Sequence, residues 1–241
     1  MNVVGIVAAL AAEARALDPP KSASGAPTAL SDGTLLLVSG IGSAAAAEAA
    51  RSLIAAGATA LTSWGMAGGL DPALDAGTIF LPSAVISEAG ANIATTAHWR
   101  NDLGAALVSL RPVTSGKLLT SSFAIAAVAG KAAAFRTTGA LAVDMESVAI
   151  GQIAAAHGLP FIAIRVIVDT AYDTLPSAVV AASRSGQVQI WRLIRALALA
   201  PTDLMALVGL ARRYRNARRS LTAVARAGSL TRLAFPAAGI S

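Results

Sequence analysis

The chain has 241 residues, of which 55% are hydrophobic and only 13% charged, so it can bury a large core and does not read as disordered. It contains no cysteine, which excludes disulfides, thiolate catalysis and cysteine-ligated zinc; the two histidines, His98 and His157, leave little for a metal site. The net charge of +6 is uneven, because residues 184–241 hold ten arginines and one acid, Asp203, whereas residues 1–183 hold nine basic and twelve acidic side chains.

In chain order, NVVGIVAA (2–9) predicts a buried first strand, with a short helix from Ala11. Glu13 stands where a secretory leader would be cleaved and no basic run precedes it, so this stretch reads as part of the fold. TLLLVSG (34–40) predicts a strand running into Gly40-Ile41-Gly42-Ser43, and the alanine-rich stretch 44–56 a helix closed by Gly57. ATALTSWGMAGGL (58–70) predicts a strand ending in a glycine-rich loop, and GTIFLPSAVIS (77–87) a strand pair or one bent strand. Residues 88–112 read as irregular. KLLTSSF (117–123) and ALAVDME (140–146) predict short strands, SVAIGQIAAAHG (147–158) a helix, and PFIAIRVIVDTA (160–171) the most β-branched strand. A Leu/Ala/Arg helix over 186–200 breaks at Pro201 and restarts from Thr202 or Asp203, ending near Gly228. No window offers about twenty strongly apolar residues free of charges and breakers, so no membrane span is expected and the expected location is cytoplasmic.

Strands alternating with helices, with glycines at the strand ends, predict an α/β fold with a largely parallel sheet. Ligands of such sheets bind beyond the carboxyl ends of the strands. Glu13, the Gly40–Ser43 loop, the Gly65–Gly69 loop, Glu146 and Asp169 all fall just past predicted strand ends. Gly40-Ile41-Gly42 is no dinucleotide fingerprint, since it lacks the third glycine and a suitably spaced acid. Within LAVDMESVAI (141–150), Asp144 and Glu146 interrupt an apolar run. Either they open a solvated helix, where the dipole favours acids, or a carboxylate is held at a pocket wall to grip hydroxyls.

Five segments in order carry a wider resemblance: VGIVAALAAEARAL, SGIGSAAAAEAA, WGMAGGLDPALDAGTIFLPSAVIS, AVDMESVAI and PFIAIRVIVDTA. Together they resemble the purine nucleoside phosphorylase and methylthioadenosine/adenosylhomocysteine nucleosidase superfamily, over roughly residues 3–200. The arginine-rich tail behind them resembles the hopanoid-associated phosphorylase branch. This implies a three-layer αβα fold with a mixed, largely parallel sheet. The expected division is a catalytic domain over 1–200 and a basic amphipathic tail over 201–241, whose removal should leave the core folded.

The resemblance also implies roles. Glu146 would accept hydrogen bonds from the ribose 2′- and 3′-hydroxyls, with Met145 against the sugar face, and Asp144 would be a supporting or solvent-facing acid. Asp169 would be the general acid that protonates the purine N7, which needs a raised pKa. Val168 precedes it where relatives often have serine, leaving Tyr172 and Asp173 as nearby substitutes. Glu13 matches the glutamate that activates water. Phosphate is the alternative nucleophile, and its anion site would draw on Gly42, Ser43, Arg15 and Arg165. Met66 stands where relatives carry a small hydroxyl residue, Gly68 lines the substrate side of the glycine loop, and Phe123 is nearest to the residue that stacks on the base. His98 and Trp99 could border the pocket.

The implied reaction is cleavage of a purine N-glycosidic bond with release of adenine, without metal or organic cofactor, and with inorganic phosphate as the alternative co-substrate. The substrate expected is an adenosyl-hopanoid in hopanoid lipid biosynthesis. The alternatives are a soluble 5′-substituted adenosine, such as methylthioadenosine or adenosylhomocysteine, and a non-catalytic nucleoside- or lipid-binding protein. In the tail, Leu204, Leu207, Val208, Ala211 and Tyr214 recur at helical spacing beside Arg212, Arg213, Arg215, Arg218 and Arg219. That pattern suits peripheral contact with an anionic membrane surface better than nucleic acid, for want of stacking aromatics. A homo-oligomer is also expected.

Overall fold

The structure, a computed structural model, describes residues 2–17, 25–109, 112–175 and 203–227. Its spine is β1 (Val4–Ala8), where residues alternate between two apolar layers. Val4, Ile6 and Ala8 join one buried cluster and Val7 joins the other, so helices must cover both faces of the sheet. Parallel strands flank β1 on both sides, β3 (Leu35–Val38) and β4 (Ala60–Gly69), and β2 (Thr28–Ala29) adds an antiparallel edge beyond β3.

The ten-residue β4 is the branch point. Over most of its length it pairs in parallel with β11 (Phe161–Asp169), and its glycine end pairs antiparallel with β10 (Ala140–Asp144). From β10 the sheet continues through β9 (Lys117–Thr120), β6 (Ala84–Ser87) and β7 (Asn92–Ala94). From β11 it continues through β5 (Ile79–Phe80) to β8 (Val113–Thr114). The C-terminal ends of β4 and β11 and the end of β10 therefore meet around one point, and a register shift between Ile167 and Asp169 brings Asp169 opposite Gly68.

Helices α2 (Ser43–Ala55) and α5 (Ser147–Ala156) cover one face through Ala46, Ala50, Leu53, Ile150 and Ala154. The other face holds α1 (Ala11–Ala14), α3 (Ala97–Leu107) and α6 (Asp203–Ala227), contributing Ala14, Trp99, Leu103, Ala217, Leu221 and Val224. The expected three-layer αβα architecture is the one observed, and 77–87 resolves into a strand pair, β5 and β6.

Three expectations change. Residues 88–112 are not irregular, because they hold β7 and α3. Trp99 therefore lies in the core, while His98 is exposed. A further helix, α4 (Val128–Thr138), fills a stretch with no assigned element and ends at Gly139 in the left-handed conformation. Finally, α6 is not a free appendage: Ala217, Leu221 and Val224 are fully buried, and Ser220 donates to the Gly77 carbonyl at 2.8 Å. The expected helix over 186–200 and the boundary at residue 200 lie outside the described residues. No helix among the described residues is long and apolar enough to cross a membrane.

Candidate active site

A cavity of about 560 Å³ opens where β4, β10 and β11 end. Its walls are mostly apolar, with Leu10, Ile41, Met66, Ile125, Val143 and Val168, and four buried carboxylates line it from three segments: Glu13, the pair Asp144 and Glu146, and Asp169. Met145, Gly68 and Phe123 line it too, so the sequence-predicted sugar and base residues share one space. Phe123 is 62% exposed and sits on the rim. Tyr214 and Arg215 of α6 complete the wall.

Glu13 reaches back from the first turn of α1 to accept the Leu10 N–H at 3.0 Å, as a third-position glutamate does in a capping box. Its other oxygen accepts the Met66 N–H at 2.8 Å, which ties α1 to the glycine loop of β4. Only glycine fits between them, since a Cβ at Gly65 would lie 2.5 Å from an Arg165 guanidinium nitrogen and 2.6 Å from Glu13 Oε1. Burial pushes the Glu13 carboxyl above the usual range, outweighing the pull of Arg165 and of the two N–H groups.

Glu146 sits at the junction of β10 and α5. Its Oε1 accepts the Gly42 N–H at 3.0 Å and its Oε2 the Met145 N–H at 3.2 Å. Gly42 has φ 103°, a left-handed value that favours glycine, and it directs the start of α2 at this carboxylate. Burial first, and then the Asp144 charge, push Glu146 up to about 7 from its ordinary 4.5.

Asp144 is buried and does not face solvent. It pairs with the Arg165 guanidinium at 2.6 Å, accepts Thr120 Oγ1 at 2.6 Å and bonds Ser147. Arg165 also donates to Ser63 Oγ at 2.7 Å and lies 3.8 Å from Glu146. One guanidinium thus serves Asp144 and Glu146 and also acts on Glu13.

The expected anion site is not assembled. Arg15 is exposed and lies outside the cavity wall. Arg165 is held by carboxylates, the Gly42 N–H is taken by Glu146, and Ser43 donates its hydroxyl to the Met145 carbonyl at 3.1 Å. The helix N-terminus that would cradle a phosphate holds a side-chain carboxylate instead. Neither His98 nor Trp99 lines the cavity, and neither Tyr172 nor Asp173 does. Asp173 instead accepts the Thr170 N–H and pairs with Arg213 at 3.0 Å, and Tyr172 is exposed.

Sequence reasoning missed Lys131. This α4 lysine is fully buried and ion-paired with Asp169. Burial pushes the Asp169 carboxyl above its usual range despite the ammonium beside it. The available signal was a lone charge in AVAGKAAAF, an otherwise apolar stretch.

The sequence model of the phosphorylase superfamily matches residues 28–197. The chain belongs to that superfamily. No curated protein matches it. Among solved structures, this phosphorylase-superfamily chain resembles the methylthioadenosine/adenosylhomocysteine nucleosidase of Neisseria meningitidis in complex with methylthio-immucillin-A, at 18% identity and TM-score 0.67, over 93% of this chain and 98% of that one. The Helicobacter pylori nucleosidase with butyl-thio-DADMe-immucillin-A gives 15% and 0.66, over 93% and 97%. The futalosine hydrolase of Helicobacter pylori gives 15% and 0.66, over 92% and 97%. At such identities these neighbours establish the shared fold of the superfamily.

Proposed function

We propose that the protein hydrolyses the N-glycosidic bond of a purine nucleoside and releases adenine. The observation that carries this reading is the convergence of Glu13, Glu146 and Asp169, all buried, on one apolar cavity. Glu146, its carboxylate fixed by the Gly42 and Met145 N–H groups, takes the ribose 2′- and 3′-hydroxyls, and Met145 lies against the sugar. Asp169 gives its proton to the purine N7 as the C1′–N9 bond breaks, so the bonding pair leaves with a neutral base. Glu13 takes a proton from the water whose oxygen bonds to C1′. The carboxylates favour the positive charge that develops on the sugar. They also oppose a phosphate dianion, and with the glycine-loop N–H spent on Glu146 this supports water as the nucleophile. Phe123, which lines the cavity at its exposed rim, would stack on the base.

The 5′ substituent we assign as apolar, with an adenosyl-hopanoid as the candidate substrate. Support comes from Met66 and the other aliphatic side chains of the cavity, and from the exposed Arg212, Arg215, Arg218, Arg219 and Arg226 of α6. Arg215 belongs both to that basic face and to the cavity wall. An anionic membrane surface would attract such a face by about 1 kcal/mol per basic residue. Of the apolar residues expected beside it, Tyr214 lines the cavity, and the other four side chains lie outside the described residues.

The test is adenine release from 5′-methylthioadenosine and from adenosines with lengthening 5′-alkyl chains, with and without anionic vesicles. A kcat/KM that rises with chain length supports the lipid-linked substrate. Equal values for all chains would make the enzyme one for soluble 5′-substituted adenosines, and no adenine from any would leave a binding protein.

A further inference from the structure

We propose that Lys131 is a positioning residue that stabilises the Asp169 carboxylate left behind when its proton passes to the departing base. This rests on the hydrolytic reading above. An ammonium has three N–H donors and no acceptor. All of Lys131's are used: it bonds Asp169 Oδ2, the Thr170 carbonyl at 2.7 Å and the Asp173 carbonyl at 3.0 Å. No donor remains for substrate or water, so Lys131 acts on the reaction through Asp169 alone.

A tie between α4 and the turn after β11 would not require a charge. A neutral amide could donate to both carbonyls, whereas burying an ammonium costs several kcal/mol unless a negative partner compensates. The partner is the residue assigned as general acid, and its charge changes during turnover. The assigned step starts with the proton on Asp169, which burial favours, so the ammonium gains its full negative partner only once that proton has left. Afterwards the proton is on the base nitrogen, Lys131 keeps all of its own, and the new negative charge lies against a fixed positive one. The other charged groups acting on Asp169 are Asp173 in the same turn and Arg213 from α6, which pair with each other. Glu13, Asp144, Glu146, Tyr214 and Arg215 share the cavity with it.

The experiment compares two substrates and a pH profile in Lys131→Gln, which keeps an amide donor for the carbonyls and removes the charge. 5′-Methylthioadenosine needs its leaving base protonated; p-nitrophenyl β-D-riboside does not, because nitrophenolate departs as an anion. We expect kcat for the nucleoside to fall about 10- to 100-fold, no more than the lower end of what general acid catalysis supplies, while the nitrophenyl riboside is cleaved at the parental rate. The alkaline limb of the nucleoside profile should move to higher pH, since Asp169 without its counter-ion holds the proton longer. Lys131→Arg, which keeps the charge, should recover much of the rate.

Equal losses on both substrates with an unmoved limb would overturn the proposal and leave Lys131 a structural tie. Should Lys131→Gln fail to fold, Asp169→Asn/Lys131→Met removes both charges together and is compared with Asp169→Asn alone. No further loss of nucleoside turnover in the double variant supports action through Asp169, and a further loss overturns it. A parent chain that releases no adenine overturns the hydrolytic reading itself. A parent that releases it, while Lys131→Gln keeps the parental rate and limb, overturns this inference only.

Discussion

Glu146→Gln isolates the cost of holding a carboxylate ready for a sugar. In the folded chain burial and the Asp144 charge raise its pKa to about 7 from 4.5. A raised pKa means that the native state binds the proton more tightly than the unfolded state. The contribution to stability is therefore complete below about pH 4.5 and is lost as pH rises through 7. The difference corresponds to about 3 kcal/mol at 1.36 kcal/mol per pH unit. Glutamine does not titrate, so the stability of the parent minus that of the variant should fall by up to about that amount between pH 5 and pH 8. Glutamine also faces two N–H donors, from Gly42 and Met145, with only one acceptor oxygen. That offset is independent of pH and drops out of the comparison. Urea unfolding of both proteins at the two pH values measures the change directly. A parent–variant difference that stays constant with pH would mean that Glu146 binds its proton no more tightly in the folded chain than in the unfolded one.

Asp169→Asn should bind nucleoside but release adenine about 10²- to 10⁴-fold more slowly, and near-parental turnover would remove the acid from its role. Gly65→Ala forces a methyl group into Glu13 and Arg165, so both activity and stability should fall, the latter by about 1–3 kcal/mol in a denaturation curve. Leu221→Ala, at a fully buried position on α6, should cost about 2–5 kcal/mol, and deletion of residues 202–241 should leave a chain that does not refold cooperatively. A cooperative thermal transition in that truncation would mean that α6 contributes little to the core.

The fold was legible where period and punctuation agreed. Strand β4 stood out by its apolar run and terminal glycines, and β11 by its β-branched alternation, while α2 lay between Gly42 and Gly57. Helix α4 was not legible, because it buries only Lys131 among its residues, whereas α3 offered a signal in Trp99, Leu103 and Leu107, which recur four apart and are all buried. The carboxylates could be found, since an acid at a strand end inside an apolar run needs a reason. Their partners could not. Nothing in FIAIRVIVD says that Arg165 turns towards Asp144 and Ser63 instead of a substrate anion, because that depends on which face of β11 meets α5. Lys131 and Asp169 are 38 residues apart, and only the docking of α4 brings them together.

If Glu13 activates water, the oxygen of that water ends at C1′ of the sugar. Turnover of 5′-methylthioadenosine in ¹⁸O-labelled water, with and without phosphate, tests it most directly by mass spectrometry of the sugar product. The expected product is a free 5-methylthioribose carrying the label at C1, formed at the same rate whether or not phosphate is present. An unlabelled sugar 1-phosphate, formed only when phosphate is supplied, would contradict it.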